Sequence, residues 1–265
     1  MAPRNVVITG GSSGIGLATV QKFLDNGDNV VVLDRNPSNH GVQTVTVDLA
    51  DSESITAAVD SLPHGIDVLC NVAGVAGTAG ARTVLAVNFM GIRELTEQIA
   101  GKMVAGGAVV NVASTSGWYW RDHLDEVAAL IQAPDVDTAL KHLNLAESDG
   151  YLAYNRAKEA VVVWTILASQ KYFGHLRINS VSPGPVQTPL LDSFYESMGA
   201  EELDPIVKRS GRAGTPAEIA NIAWFLTTPD SNWINGTDIV ADFGAEAFLS
   251  LEEKIPGVVA EHQPA

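Results

Sequence analysis

Cysteine is almost missing from this chain: Cys70 is the single one in 265 residues. An internal disulfide is excluded, and a lone thiol inside the apolar run IDVLCNV reads as a small buried residue without chemistry. Basic residues are scarce too. Only 16 Lys and Arg stand against 31 Asp and Glu, a formal net charge of -15. That balance repels polyanions and leaves no basic stripe for nucleic acid or an anionic membrane. No apolar run approaches the roughly 20 residues of a membrane span. The start, MAPRNVVITG, enters a short strand pattern instead of a signal-peptide core, so a soluble cytoplasmic protein is expected. The six histidines, at 40, 64, 123, 142, 175 and 262, lack metal-ligand spacing. They read as surface residues, and no metal is expected.

What the chain does contain is a repeated alternation. Short β-branched runs at 5–9, 29–34, 42–48, 66–72, 108–114, 177–183 and 237–242 are separated by helical patterns near 14–27, 51–61, 79–104, 151–173 and 215–227. Continuously apolar strands in βαβα order predict an α/β fold, a doubly wound parallel sheet (Rossmann fold) covered on both faces. No linker divides the chain, so residues 1–265 read as one domain, with a tail at 245–265 as an appendage.

One segment breaks the rhythm. Within 118–150, Leu124, Val127, Ala128 and Ile131 fall at helical spacing, and Val136, Ala139, Leu140 and Leu143 repeat it after Pro134. An inserted helical hairpin is expected, with Asp135 capping its second helix and the apolar faces packed together or onto the sheet layer. Three adjacent aromatics, Trp118, Tyr119 and Trp120, open it.

Chemistry is concentrated at the strand ends. Strand 5–9 runs into Thr9-Gly10-Gly11-Ser12-Ser13-Gly14-Ile15-Gly16 and then a helix. Such glycines let the backbone turn sharply and approach a pyrophosphate, which the N–H groups and dipole of a helix N-terminus favour. Asp34 closes the next strand, where a carboxylate accepts hydrogen bonds from ribose hydroxyls and repels a 2′-phosphate. NAD is therefore expected over NADP, although the neighbouring Arg35 could swing toward a phosphate. Farther on, Tyr154 and Lys158 lie four residues apart on one helix face, and Ser114 ends the fifth strand. Together the three suggest proton transfer beside a nicotinamide.

TGGSSGIG (9–16), Asp48-Leu49, Asn71-Val72-Ala73-Gly74, Asn88, Ser114, YNRAK (154–158) and Pro183-Gly184-Pro185-Val186-Gln187-Thr188 stand in this order. In these motifs the chain resembles the short-chain dehydrogenase/reductase family along nearly its whole length. The resemblance implies that Tyr154 is the general acid/base, and that Lys158 lowers its pKa and holds the nicotinamide ribose. It further implies that Ser114 orients the substrate oxygen and that Asn88 helps carry a water-linked proton path to Lys158. Asp48 and Leu49 would flank adenine, with Asn71, Ala73 and Gly74 supporting it. Pro183, Gly184, Val186 and Thr188 would border nicotinamide, with Ile15 on the same wall.

The 39 residues between Ser114 and Tyr154 exceed the family's usual run. This length, with CNVAGVAGTA (70–79), PGPVQTPLL (183–191) and WING (233–236), resembles the coniferyl-alcohol dehydrogenase and 3α-hydroxysteroid dehydrogenase/carbonyl reductase branches. A bulky apolar alcohol or carbonyl is the implied substrate: an aromatic or allylic alcohol first, a steroid or other cyclic alcohol second. Trp118 or Tyr119 is expected in the substrate pocket with Leu190 and Phe194, and Phe243 is placed to enter it. The apolar stretch after Thr188 reads as a lid or as packing against the domain. Family members usually form dimers or tetramers, so a homo-oligomer is expected. A nucleotide sensor that has lost turnover is the alternative, against which the intact Ser114, Tyr154 and Lys158 speak.

Overall fold

The computed structural model describes residues 2–37, 41–252 and 254–255. Its first half contains β1 (Asn5–Thr9), α1 (Gly14–Asp25), β2 (Asn29–Asp34), β3 (Gln43–Thr46), α2 (Ser52–Ser61), β4 (Ile66–Asn71), α3 (Ala81–Leu85), α4 (Gly91–Ile99) and β5 (Met103–Val112). The second half adds α5 (Leu124–Gln132), α6 (Val136–His142), α7 (Gly150–Lys171), β6 (Leu176–Pro183), α8 (Leu191–Met198) and α9 (Ala200–Ser210). It ends with α10 (Pro216–Leu226), β7 (Asp238–Ala241) and α11 (Ala245–Glu252).

The strands form one parallel sheet in the order β3-β2-β1-β4-β5-β6-β7. Alternate strand residues bury in opposite layers. Val7, Leu69, Val109 and Ile178 join the cluster under α2, α4 and α7. Val6, Ile8, Val68, Cys70 and Val110 join the one beneath α1 and α10. Burial on both faces, at about 1.5–3 kcal/mol per large apolar side chain, is why the strands read as unbroken apolar runs. The order reverses direction between β1 and β4, which opens a crevice at the carboxyl ends of those strands. There the Thr9 hydroxyl accepts from the N–H groups of Val72 and Ala73 at 2.9 and 3.0 Å, tying the first loop to the fourth.

The expected helix at 79–104 is instead a chain of pieces. A π-turn over Ala86–Met90 joins α3 to α4, and the fifth strand already begins at Met103. Apolar periodicity runs smoothly through the π-turn and hides it. Gly91 follows, where a Cβ would lie 2.1 Å from the Leu49 carbonyl oxygen, so this helix presses directly on backbone. The early part of β5 is glycine-rich, with Gly106 at φ +84, and carried little strand signal.

The inserted hairpin is present as α5 and α6. Asp135 caps α6 by accepting from the Thr138 N–H at 2.7 Å. Its apolar faces meet the helical layer, α5 against α7 and α6 against α3, so the hairpin thickens that side of the domain. Val127, Leu130 and Ala139 are buried, but Leu124 is 48% exposed because it opens the first turn, ahead of the packed stripe. The tail is no simple appendage. Asp242 accepts from the N–H groups of Gly244 and Glu246, which caps α11, and Ala245 and Glu246 are buried against the body. Residues 253 and 256–265 of that tail lie outside the described residues.

Candidate active site

A cleft of about 470 Å³ opens along the carboxyl edge of the sheet. At one end lies the glycine loop, built by close approach. Gly10 has φ +71, and a Cβ there would sit 2.7 Å from the Ala73 Cα. A Cβ on Gly16 would sit 2.0 Å from the Gly10 carbonyl oxygen. These contacts force glycine and let the loop lie flat beneath a ligand. Ser12, Ser13, Gly14 and Ile15 line the cleft beside it. The α1 N-terminus has no side-chain cap and no acidic residue in its first turn, so its N–H groups remain directed at the cleft.

Asp34 is fixed at the end of β2, with Oδ2 accepting from the Ser12 N–H at 3.0 Å and Oδ1 from the Asn36 N–H at 2.9 Å. Arg35, Asp48, Leu49, Ala73 and Gly74 complete this end. The cradle that a Cβ would fill, the open helix terminus and the carboxylate about 20 residues downstream fit a dinucleotide. On the opposite wall lie Pro183, Gly184, Val186 and Thr188.

The other end holds the reactive side chains. Ser114 lies just past β5; its Oγ accepts from the Ser116 N–H at 3.2 Å and is hydrogen-bonded to the Tyr154 phenol. Ser116 therefore contributes its backbone, which fixes the hydroxyl of Ser114. Tyr154 and Lys158 project from one face of α7 and are 5% and 4% exposed. The Lys158 Nζ donates to the Val112 carbonyl at 2.8 Å and lies 5.7 Å from the centre of the Tyr154 ring.

Burial raises the Tyr154 phenol to about 12 despite the Ser114 hydrogen bond, and burial lowers Lys158 to about 8. The sequence-based expectation was a lowered phenol. In the chain by itself desolvation of the phenol outweighs the Ser114 hydrogen bond, and the Lys158 hydrogen bond goes to a backbone carbonyl.

Four expected residues, Asn71, Asn88, Trp118 and Phe243, do not face the cleft. Asn71 is fully buried, donating to Thr96 Oγ1 and Asn111 Oδ1, both at 2.8 Å, while Asn111 passes the bridge on to Thr165 at 2.9 Å. On β4 it faces the helical layer, like Leu69 two residues earlier, so it ties β4, β5, α4 and α7 together instead. Asn88, in the π-turn, exchanges two hydrogen bonds with the Val75 backbone, accepting at 2.8 Å and donating at 2.9 Å. Its side chain supports the strand of residues above the cleft without entering it. Trp118 is half-buried away from the wall, and of the aromatic trio Tyr119 is the one that lines the cleft. Residues 115–123 run as successive tight turns, in which neighbouring side chains diverge by about 100–120°. Trp120 consequently packs on the core, with the Arg121 guanidinium 4.2 Å above its ring.

Leu190 and Phe194 do line the cleft, and the Phe194 ring meets Tyr154 edge-on at 5.2 Å between centroids. Phe243 does not: at φ 63 it turns outward and is 91% exposed. Tyr151, Asn155, Glu202 and Glu246 line the cleft unforeseen. The i, i+3, i+4 and i+7 spacing of residues 151, 154, 155 and 158 was the signal for the first two. His123, taken for a surface residue, also lines the cleft, with Nδ1 2.8 Å from Glu159 Oε1 and 3.1 Å from Arg156 Nη1. Arg156 also reaches Glu126, so the buried Arg156 and Glu159 on α7 fasten α5 to that helix.

Residues 4–125 match the family model described as short chain dehydrogenase, and residues 142–246 match the one described as Enoyl-(Acyl carrier protein) reductase. The chain is 36% identical over 247 residues to coniferyl-alcohol dehydrogenase of Pseudomonas sp. (strain HR199 / DSM 7063), across 91% of this chain and 96% of that one. It is 27% identical to 3-alpha-hydroxysteroid dehydrogenase/carbonyl reductase of Comamonas testosteroni, across 92% and 97%. Among solved structures it is similar to the 3-alpha-hydroxysteroid dehydrogenase from Pseudomonas sp. B-0831 complexed with NADH. That match has a TM-score of 0.80 and 26% identity, and it covers 94% of this chain and 99% of the other. With this fold, this order of motifs and these relatives, the chain belongs to the short-chain dehydrogenase/reductase family of oxidoreductases.

Proposed function

We propose that the protein interconverts bulky, largely apolar alcohols and their carbonyls with NAD, aromatic or allylic alcohols being the first substrate class. The observation that carries this is the meeting of Ser114 with the buried Tyr154 and Lys158 in one cleft with the glycine loop and an apolar wall of Leu190, Phe194 and Met198. When bound, the nicotinamide supplies a two-electron acceptor. Everything else falls to the chain. Ser114, whose hydroxyl is already aimed by the Ser116 N–H, holds the substrate oxygen, and Tyr154 as phenolate takes the hydroxyl proton.

The raised phenol makes that proton transfer depend on nearby positive charge. An ammonium roughly 6 Å away, in an effective dielectric of about 20, favours phenolate by roughly 3 kcal/mol. Lys158, 5.7 Å from the centre of the Tyr154 ring, is the cation that acts in this sense while it is charged. Asn88 acts in this scheme through the Val75 segment that it braces.

Asp34 supports NAD, since its carboxylate is pinned by two N–H groups where a 2′-phosphate would lie, whereas Arg35 beside it is exposed. Kinetics with both cofactors test this, and better turnover with NADP would reverse the assignment. Cyclic alcohols are the second reading, favoured by the 0.80 TM-score to a hydroxysteroid dehydrogenase. A panel of cinnamyl, benzylic, terpenoid and hydroxysteroid alcohols, followed by NADH absorbance, ranks the two. We also propose a homo-oligomer, because α7 leaves Leu152, Ile166 and Leu167 exposed beyond the hairpin. Light scattering tests it, and a monomeric mass would reject it.

A further inference from the structure

The apolar wall over the substrate end is carried by a segment with few fixed points. Residues 188–212 leave the domain and return to it at a parallel bridge between Val186 and Gly214. There the Gln187 N–H donates to the Gly214 carbonyl at 2.9 Å, and the Gly214 N–H donates to the Pro185 carbonyl at 2.8 Å. Between these ends the segment gives the cleft Leu190, Phe194, Met198, Leu203 and Ile206. Yet α8 buries none of its residues, and α9 buries only Leu203. The Tyr195 hydroxyl donates to Asp204 Oδ1 at 3.0 Å, which joins the two helices to each other and not to the body. Gly199 and Gly211, at φ +87 and +80, bracket α9 with backbone that can pivot.

Outside its own segment, α9 packs chiefly on α11. The Arg209 guanidinium lies over the Phe248 ring, 3.4 Å from its centre, a stacking that holds cation and ring face to face. The helix beneath is firmly rooted. The buried Asp242 accepts from the N–H groups of Gly244 and Glu246 at 2.8 and 2.7 Å, and Ala245 is fully buried. So α11 is fixed to the end of the sheet, and α9 is fixed to α11.

We propose that α11 is a strap for the substrate wall, in which Phe248 and Arg209 are positioning residues. They touch no reacting atom. They hold α9, and through the Tyr195–Asp204 link they hold α8, whose Phe194 meets the Tyr154 ring at 5.2 Å. The glycine loop is built from other elements, so a loosened strap should weaken the hold on substrate and leave the dinucleotide end as it was. Only the kinetic part of this inference rests on the alcohol-oxidation reading above.

The test is limited trypsin digestion of the full chain, reading cleavage after Lys208, an exposed residue of α9 beside Arg209. Each rate is divided by that of the same bond in the unfolded chain. Cleavage requires the helix to open, so the ratio reads how often the segment leaves its seat. Phe248→Ala should speed cleavage at least about fivefold, and Phe248→Tyr, which keeps a ring under the guanidinium, should cleave like the wild type. Arg209→Gln removes the cation from an exposed position; it should also speed cleavage, and it decides the matter if Phe248→Ala fails to fold. With NAD and an aromatic allylic alcohol, the loosened variants should show KM raised about fivefold, kcat within about twofold and an unchanged NAD Kd. Wild-type cleavage in the folded variants overturns the strap. Faster cleavage with an unchanged KM, or a KM rise matched by an equal loss of NAD affinity, overturns the positioning role. If no alcohol is oxidised, the alcohol reading fails separately, and the cleavage rates alone decide the strap: faster supports it, equal overturns it.

Discussion

The two ends of the cleft are made of different material. The glycine-loop end is largely backbone, where Gly10 and Gly16 have neighbours that leave no room for a Cβ, and the carboxylate of Asp34 is pinned beside it. The substrate end is side chains from segments far apart in sequence: the turn after β5, α7, α8, α9 and the first turn of α11. Backbone sites tolerate few residue types, whereas side-chain sites admit many. The first end should therefore fail all at once when altered, and the second should retune.

The largest effect is expected where the ends meet. Tyr154→Phe keeps the ring against Phe194 and removes the proton carrier, so kcat should fall by about 10³-fold or more while NAD affinity stays within a few fold. Turnover near wild type would break the mechanism. Next in size is Gly16→Ala, whose Cβ would meet the Gly10 carbonyl oxygen at 2.0 Å. Calorimetric NAD affinity should drop by about a hundredfold, and an unchanged Kd would show that the loop is not the binding surface.

Lys158→Met separates catalysis from stability. With the Lys158 pKa lowered to about 8 by burial, the unfolded chain holds this proton more tightly than the folded one. Stability from this group therefore rises as pH passes from about 8 to its ordinary 10.5, and the penalty is complete below about 8. Removing the ammonium relieves on the order of 3 kcal/mol at neutral pH, less about 1 kcal/mol for the stranded Val112 carbonyl. The variant should be inactive yet melt a few degrees higher at pH 7, and a lower Tm would contradict the burial argument.

The smallest and most selective effect belongs to the substrate end. Tyr119→Phe should raise KM for hydroxylated alcohols by a few fold, whereas Trp118→Ala should change all substrates alike through packing. A substrate-selective change confined to Trp118→Ala would reverse the placement of the two.

This contrast also governs what the amino-acid order revealed. TGGSSGIG and Asp34 were readable because their roles follow from glycine geometry and a strand end, and both strands fall where their β-branched runs lie. The hairpin was readable from apolar spacing and Asp135, but its seat on α3 and α7 was not, since periodicity gives a face and not its partner. Helices α8 and α9 follow a loop motif whose apolar residues permitted either a lid or a packed segment. Glu246 was hidden in a supposed tail, and Asn71 was assigned to the cofactor because a motif names a segment, whereas the pleat decides which side chains leave the sheet.

The most direct test is NADH formation by the wild-type enzyme, with saturating NAD and an aromatic allylic alcohol, across pH 7 to 10. Phenolate is the base for oxidation, and Tyr154 is raised in the chain by itself, so the rate should be measurable and climb with pH while carbonyl reduction falls. Tight NAD binding with no NADH from any alcohol in the panel would contradict it.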